Sequence, residues 1–401
     1  MESPPFAPLA TPATHCIAVP PPEWTPRDTR QAHALFLFMG LCYYFPFCIL
    51  VQPVDYWRLL FPSFNVNFRI SFAYYIANVL VIFALLVVGA RQSYKTRIMG
   101  GFSVQLGFLL LLPTSYYILS TEIQHEAMVL TTAAIVAIAA AVAGSSLFAL
   151  ASMFPSGCME NVQLGIGLSI FITTAYRCIS KAVFSTDETV AASMVYFYTG
   201  ALTMATGVMS YFLLLRLPQS AAVHATPQTH KVLQPTMLSK IAFNGSLVVL
   251  VNLSTMLVWP GLLTDIPSFN VPIFNTSGWF PLILMGWDAL FDALGRYSAR
   301  FQLCFTRHNV WALVFARCLC IPVFICIARD VCFTHDIVTY LVVAAFSWSH
   351  GYAGALTVVF VSDCVDENER SGAGMFSSFF VNFGLVTGAS LSFVLAKILH
   401  L

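Results

Sequence analysis

Three charged residues recur at intervals of four in the apolar segment GWDALFDALGR, residues 286–296. On an α-helix this spacing places Asp288, Asp292 and Arg296 on one stripe. A carboxylate in the middle of a membrane costs about 2.5–3.5 kcal/mol on insertion scales, so it normally faces a bundle interior or a water-filled cavity. The spacing therefore predicts a polar lining for a substrate path. The alternative is an Asp292–Arg296 pair that only stabilises helix packing.

The composition indicates that these charged residues belong to a membrane protein rather than to a soluble one. Hydrophobic residues make up 58% of the 401-residue chain and charged residues only 9%, whereas a soluble domain carries roughly 25% charged residues. The chain is therefore predicted to be an all-α integral membrane protein, long enough for about ten or more spans of ~20 residues. The net charge of +1 provides no basic surface for nucleic acid, which is excluded as a partner.

Apolar runs separated by charges, proline and glycine predict eleven transmembrane helices. Runs of this length must be helical because a bilayer offers no partners for free backbone groups. The predicted spans are 33–53, 70–90, 98–120, 127–153, 161–183, 190–215, 241–262, 279–299, 309–328, 337–361 and 371–399.

The order of these spans predicts two bundles. The proline-rich residues 1–32 are predicted to be a disordered cytoplasmic tail. Residues 33–215 form an N-terminal bundle of six helices, and residues 241–401 form a C-terminal bundle of five. The polar stretch 216–240 is predicted to be a flexible cytoplasmic linker between them.

The distribution of basic residues orients the chain. With a cytoplasmic N-terminus, twelve Lys and Arg residues fall in inner segments and five in outer segments. The positive-inside rule then predicts an extracellular C-terminus. The sequon at Asn275 falls in a predicted outer loop, where glycosylation is compatible with this orientation.

The chain is not predicted to be an enzyme. It contains no phosphate-binding Walker loop and no HExxH or paired-cysteine metal motif, so no cofactor or metal is expected. A membrane-embedded enzyme using Asp288 and Asp292 as an acid pair remains an alternative, but no second cluster of His or carboxylate residues accompanies them. A receptor remains a further alternative, since it would fit the hydropathy alone.

Several motifs in order along the chain resemble the equilibrative nucleoside transporters. DALGR at 292–296 is similar to the D-x-x-G-R signature in the eighth helix of that family. The other similar stretches are GLCYYFPFCILVQPVDYW (40–57), RIMGG (97–101), GSSLFALASMFP (144–155), STMLVWPGLL (254–263), SHGYAGAL (349–356) and FFVNFGLVTGASLSF (379–393).

This resemblance implies a six-plus-five bundle related to the major facilitator fold, with a central substrate site and alternating access. It implies that Asp292 and Arg296 hold the sugar or the base of the substrate. It also implies that Arg97 and Glu369 meet when the cytoplasmic mouth is closed.

Four positions of the implied substrate site depart from the family pattern. Phe47 stands in place of a tryptophan, so an aromatic ring remains without its indole donor. Gly144 and Ile166 each stand where the family has glutamine, and His350 replaces an asparagine. Fewer donors and acceptors discriminate less against analogues that lack a hydroxyl, so a nucleobase is as compatible with this site as a nucleoside.

The sequence therefore predicts a monomeric plasma-membrane transporter of purine nucleosides or nucleobases. It is either facilitative or coupled to protons, for which His350 is the candidate because imidazole titrates near neutral pH. Transport of another small polar solute is the alternative. Arg317, within the predicted ninth span, is expected to pair with an acidic residue of a neighbouring helix.

Overall fold

The computed structural model describes residues 24–64, 66–88, 93–185, 188–225, 234–259, 261–276 and 278–399, and this part of the chain is built from α-helices. Short helices in the loops are α2 (Val54–Leu60), α8 (Pro218–Ala225), α10 (Gly261–Asp265) and α11 (Ile273–Thr276). The longer helices are α1 (Pro26–Val51), α3 (Val66–Val88), α4 (Tyr94–Ser115), α5 (Glu122–Met153), α6 (Cys158–Val183), α7 (Thr189–Leu215), α9 (Pro235–Val258), α12 (Trp279–Ser298), α13 (Val310–Cys318), α14 (Cys320–Ala328), α15 (Asp336–Asp363) and α16 (Arg370–Leu399).

The predicted membrane class is confirmed. Within the described residues, ten helical segments are long and apolar enough to cross a bilayer, with α13 and α14 together forming one of them. Helix α12 has 20 residues, but it also carries Asp288, Asp292 and Arg296, so composition alone does not identify it as a span. The count of eleven stays a prediction.

Helix α1 begins earlier than predicted because its first turn is capped. The Thr25 hydroxyl accepts a hydrogen bond from the backbone N–H of Asp28 at 3.2 Å, and Pro26 occupies the first helical position, where its missing N–H is not needed. The prediction of a disordered tail over 1–32 is therefore wrong for residues 26–32. Residues 1–23 lie outside the described part of the chain.

The break predicted between the spans 127–153 and 161–183 is confirmed. Helix α5 ends at Met153 and α6 begins at Cys158. Gly157 has a φ of +94°, a conformation that glycine adopts without the steric cost of a Cβ. This turn reverses the chain between two antiparallel helices.

The ninth predicted span, 309–328, coincides with the candidate span Val310–Ala328, but its helix is interrupted between α13 and α14. Residues 309–328 were expected to form a continuous helix, but α13 ends at Cys318 and α14 begins at Cys320. Pro322 lacks the backbone N–H that would bond to the carbonyl of Cys318, and its ring disfavours an unbroken helix there.

The helices before and after residues 216–240 pack mainly with members of their own group. Helix α1 packs on α6 and α7, and α4 packs on α5; in the second group α9 packs on α16 and α12 packs on α15. The groups meet where α16 crosses α5 and α3 and where α12 crosses α6. The predicted linker is partly helical through α8, and residues 226–233 lie outside the described chain.

Candidate functional site

A cavity lies between the two groups of helices, and the charged stripe of α12 lines it. Its walls come from α1, α6, α9, α12, α15 and α16, so both groups contribute. Asp288, Asp292 and Arg296 all line it, as their fourfold spacing predicted. Apolar side chains complete the walls, among them Ile166, Ile170, Met256, Val358, Val381 and Leu385.

Asp292 is bonded on both of its carboxylate oxygens. Oδ2 accepts a hydrogen bond from Nε of Arg296 at 2.8 Å, and Oδ1 lies 2.8 Å from Nδ1 of His350 on α15. Asp292 is 2% exposed and Arg296 is 6% exposed. At such burial each charge depends on its partner, because an unpaired buried charge is costly to solvate.

Gln163 joins this network from α6, and sequence reasoning missed it. Its side-chain oxygen accepts a hydrogen bond from Nη1 of Arg296 at 2.8 Å. The sequence places an apolar residue, Ile166, where the related family has an amide, but Gln163 lies close to one turn earlier on the same helix and supplies one. Gly167 leaves room for this contact, since a Cβ there would lie 2.7 Å from Cδ of Arg296.

Asp288 has a weaker set of partners than Asp292. Its Oδ1 accepts a hydrogen bond from the hydroxyl of Ser347 on α15. No ion pair joins Asp288 to a basic residue within the described chain. Asp288 therefore lines the cavity as a carboxylate held by a neutral donor.

Among the other residues predicted to contact substrate, two line the cavity and Phe47 lies behind its wall. Ile166 and His350 line the cavity. Phe47 is 1% exposed and does not line it; its ring packs 4.7 Å from Tyr74 and 4.8 Å from Tyr75, between centroids. Phe47 also packs against Tyr44, which does line the cavity, so it supports the wall from behind.

Gly144 affects the cavity indirectly, because it leaves space for the ring of Tyr43. A Cβ at this position would lie 2.2 Å from the ring of Tyr43. That ring lines the cavity, and its hydroxyl accepts a hydrogen bond from Nδ2 of Asn382 on α16 at 3.3 Å. The glycine thus makes room for a tyrosine whose hydroxyl forms a hydrogen bond between the two groups of helices.

The implied gate residues do not contact each other in this structure. Nη2 of Arg97 donates to the hydroxyl of Ser145 at 3.1 Å, whereas Glu369 accepts a hydrogen bond from Lys240 at 2.7 Å. A contact between Arg97 and Glu369 stays a prediction for another conformation of the protein.

Arg317 has no acidic partner among the described residues, so that expectation is wrong. Its guanidinium donates to the carbonyl of Val251 at 2.8 Å, to the Thr255 hydroxyl at 2.9 Å and to the Ser254 hydroxyl. It also lies 4.5 Å from the centre of the Phe346 ring. Oxygens of α9 therefore bond to the two terminal nitrogens of this buried cation in place of a carboxylate.

The two groups of helices contact each other at both ends of the cavity. At one end the hydroxyls of Tyr94 and Ser371 lie 2.7 Å apart. At the other end, Nζ of Lys181, close to the end of α6, donates to the carbonyl of Gly278 at the start of α12, at 3.1 Å. Polar contacts therefore join the two groups of helices near both of their ends in this conformation.

Comparison with solved structures defines the class of fold. The major facilitator proton:xylose symporter XylE matches with a TM-score of 0.62 at 12% identity, covering 94% of this chain and 90% of that one. The nucleoside transporter NupG matches with a TM-score of 0.58 at 14% identity, covering 91% and 92%. The chain has the major facilitator fold.

Comparison of sequences gives the relatives. The family described as Nucleoside transporter matches residues 219–397. Equilibrative nucleotide transporter 8 of Arabidopsis thaliana is 23% identical, covering 91% of this chain and 95% of its own length. Equilibrative nucleoside transporter 1 of Homo sapiens is 25% identical, covering 64% and 66%. These matches confirm the resemblance to the equilibrative nucleoside transporters, at low sequence identity.

Proposed function

We propose that this protein transports nucleosides or nucleobases, with a preference for purines, across a membrane by alternating access. The observation that carries the proposal is the buried Asp292–Arg296 pair, bonded to Gln163 and His350, in a cavity between two groups of helices. Major facilitator proteins place their substrate sites near the bilayer midplane between their repeats. Relatives named as nucleoside and nucleotide transporters support the same class of substrate.

The polar groups suit a substrate that both donates and accepts hydrogen bonds. A carboxylate accepts and a guanidinium donates, so together they recognise hydroxyls and ring nitrogens of either kind. The apolar walls suit the faces of a flat heterocycle, since small-molecule sites combine apolar lining with a few placed polar groups.

Alternating access would open the cavity at one end at a time. Opening one end would separate Tyr94 from Ser371, and opening the other would separate Lys181 from Gly278. Each contact is a hydrogen bond near a helix end, and a hydrogen bond contributes a net ~0.5–1.5 kcal/mol.

Uptake into proteoliposomes made from the purified chain tests the proposed function. Labelled nucleosides and nucleobases should enter and equilibrate, and excess unlabelled substrate should compete with them. Uptake of an unrelated small polar solute without uptake of nucleosides or bases would favour the alternative substrate class. Binding without any uptake would favour a receptor, and conversion of the solute would favour an enzyme.

We expect His350 to decide whether transport is coupled to protons. Protonation of its ring would act directly on Asp292, and the charged groups around it are Asp292 and Arg296 on α12 and Arg317 on α13. With coupling, an imposed inward proton gradient makes wild-type vesicles concentrate substrate. The His350→Asn variant then exchanges substrate at reduced affinity without concentrating it. Wild-type uptake that never exceeds equilibrium would assign His350 a structural role and make transport facilitative.

We place the protein in the plasma membrane with a cytoplasmic N-terminus. Arg97 and Arg296 are two of the twelve basic residues assigned to the inner side, and both are buried. Without them, ten inner basic residues against five outer ones still favour this orientation. An epitope within 218–235 should be accessible only after permeabilisation, and a tag after Leu401 should be accessible on intact cells. Accessibility of both from the same side would contradict eleven spans.

A further inference from the structure

Three nitrogen atoms in the cavity wall have no hydrogen-bond partner within the described chain. They are Nε2 of Gln163, Nε1 of Trp259 and Nε2 of His350. All three residues line the cavity, and their exposed fractions are 3%, 8% and 9%. A buried polar atom without a partner costs roughly 1–3 kcal/mol, so a ligand that bonds to these three nitrogens would gain from satisfying them.

The hydrogen-bond network determines what each nitrogen offers. The Gln163 oxygen accepts from Arg296, which leaves its amide N–H groups as donors. Nδ1 of His350 faces the Asp292 carboxylate, which only accepts, so in the neutral ring the proton lies on Nδ1 and Nε2 is an acceptor. The indole of Trp259 only donates. The three residues therefore present two donors and one acceptor.

Neighbouring polar side chains in the same wall already donate to the protein. Asn252 donates to the carbonyl of Val248 at 2.8 Å, and Asn382 donates to the carbonyl of Ser378 at 2.8 Å. Arg296 donates to Asp292 and Gln163. These nitrogens therefore already bond to the protein, whereas the amide nitrogen of Gln163 and the indole nitrogen of Trp259 have no partner within the described chain.

We propose that Gln163, Trp259 and His350 read the base of the substrate, and that the base rather than the sugar is the recognised part. The proposal rests on the proposed transport of nucleosides or nucleobases. A nucleobase carries at least two acceptor heteroatoms and one N–H, which complements two donors and one acceptor. An organic cation offers mainly donors and does not satisfy this set. The hydroxyls of a free sugar can both donate and accept, but a free sugar lacks the flat apolar faces that the side chains of Ile166, Ile170 and Met256 in the cavity wall suit. A free nucleobase is then a sufficient ligand.

The test compares a natural base with analogues in which a single ring nitrogen is replaced by C–H. One of these analogues will lack the ring nitrogen that accepts the hydrogen bond from Trp259. Wild-type protein should bind that analogue about tenfold more weakly than the natural base, a difference of about 1.4 kcal/mol. Trp259→Phe keeps the aromatic ring and removes the N–H, so it should bind the base about tenfold more weakly and lose that discrimination. Affinity is measured by competition for uptake and by thermal stabilisation of the purified protein, which does not require a complete transport cycle.

The matched control is Trp287→Phe on α12. The indole of Trp287 donates to the carbonyl of Tyr340 at 2.9 Å, and this residue does not line the cavity. The control should therefore keep the wild-type ratio between base and analogue. The same ratio in Trp259→Phe as in wild type would overturn the proposal, as would competition by ribose as strong as that by the free base. Wild-type vesicles that take up neither nucleosides nor bases would instead overturn the proposed function.

Discussion

Replacing Asp292 with asparagine should remove most transport while the protein still reaches the membrane. An amide keeps the shape of the side chain but has one acceptor oxygen, whereas Arg296 and His350 bond to two. The amide N–H₂ would therefore face a donor, and the Arg296 charge would lose its partner in a buried position. Removing one member of a buried pair costs about 3–5 kcal/mol, and substrate affinity should fall by at least about 1.5–3 kcal/mol.

Uptake normalised to the amount of protein in the membrane measures this loss. Asp288→Asn is the matched control, because an amide oxygen can still accept the Ser347 hydroxyl, and it should cost much less. In Asp292→Asn with Arg296→Gln the unpaired charge is gone, so thermal stability should recover while transport stays low. Normal transport by Asp292→Asn together with an inactive Asp288→Asn would mean that Asp288 is the functional carboxylate.

Gly351→Ala should destabilise the protein and disrupt the site, because α15 and α12 are in backbone contact there. A Cβ on Gly351 would lie 2.0 Å from the carbonyl oxygen of Asp292, and one on Gly295 would lie 2.2 Å from that of Trp348. Backbone atoms cannot rotate away, so the helices must separate. That separation would lengthen the 2.8 Å contact between His350 and Asp292. Overpacking of this kind typically costs about 1–3 kcal/mol or more.

The thermal midpoint of the purified protein and its uptake rate should both fall in Gly351→Ala. Gly100→Ala is the control, since Gly100 is an exposed position of α4 and a Cβ there meets nothing within 4 Å. Alanine favours a helix over glycine by about 1 kcal/mol, so this control should be neutral or slightly stabilising. If Gly351→Ala behaves like Gly100→Ala, the close packing of α12 and α15 is not what positions His350.

Local composition determined the class, the helices and the charged pair. An apolar run in a bilayer must be helical because its backbone groups have no other partners. The predicted span 279–299 accordingly matches α12, which is Trp279–Ser298. The spacing of four residues was enough to pair Asp292 with Arg296, since their separation is set within a single helix.

Only the tertiary structure decided which side chains complete the site. Gln163 and Arg296 are 133 positions apart. Tyr43, Trp259 and Asn382 lie in the stretches that resemble the family, but only the crossing of the helices shows that their side chains line the cavity. The partners of Arg317 are oxygen atoms of α9, whereas the sequence predicted an acidic side chain. The physical reason is that lipid is as apolar as the interior of the bundle. Hydrophobic periodicity therefore does not distinguish the inner face of a helix from its lipid face, and the position of each polar side chain depends on the packing of the whole chain.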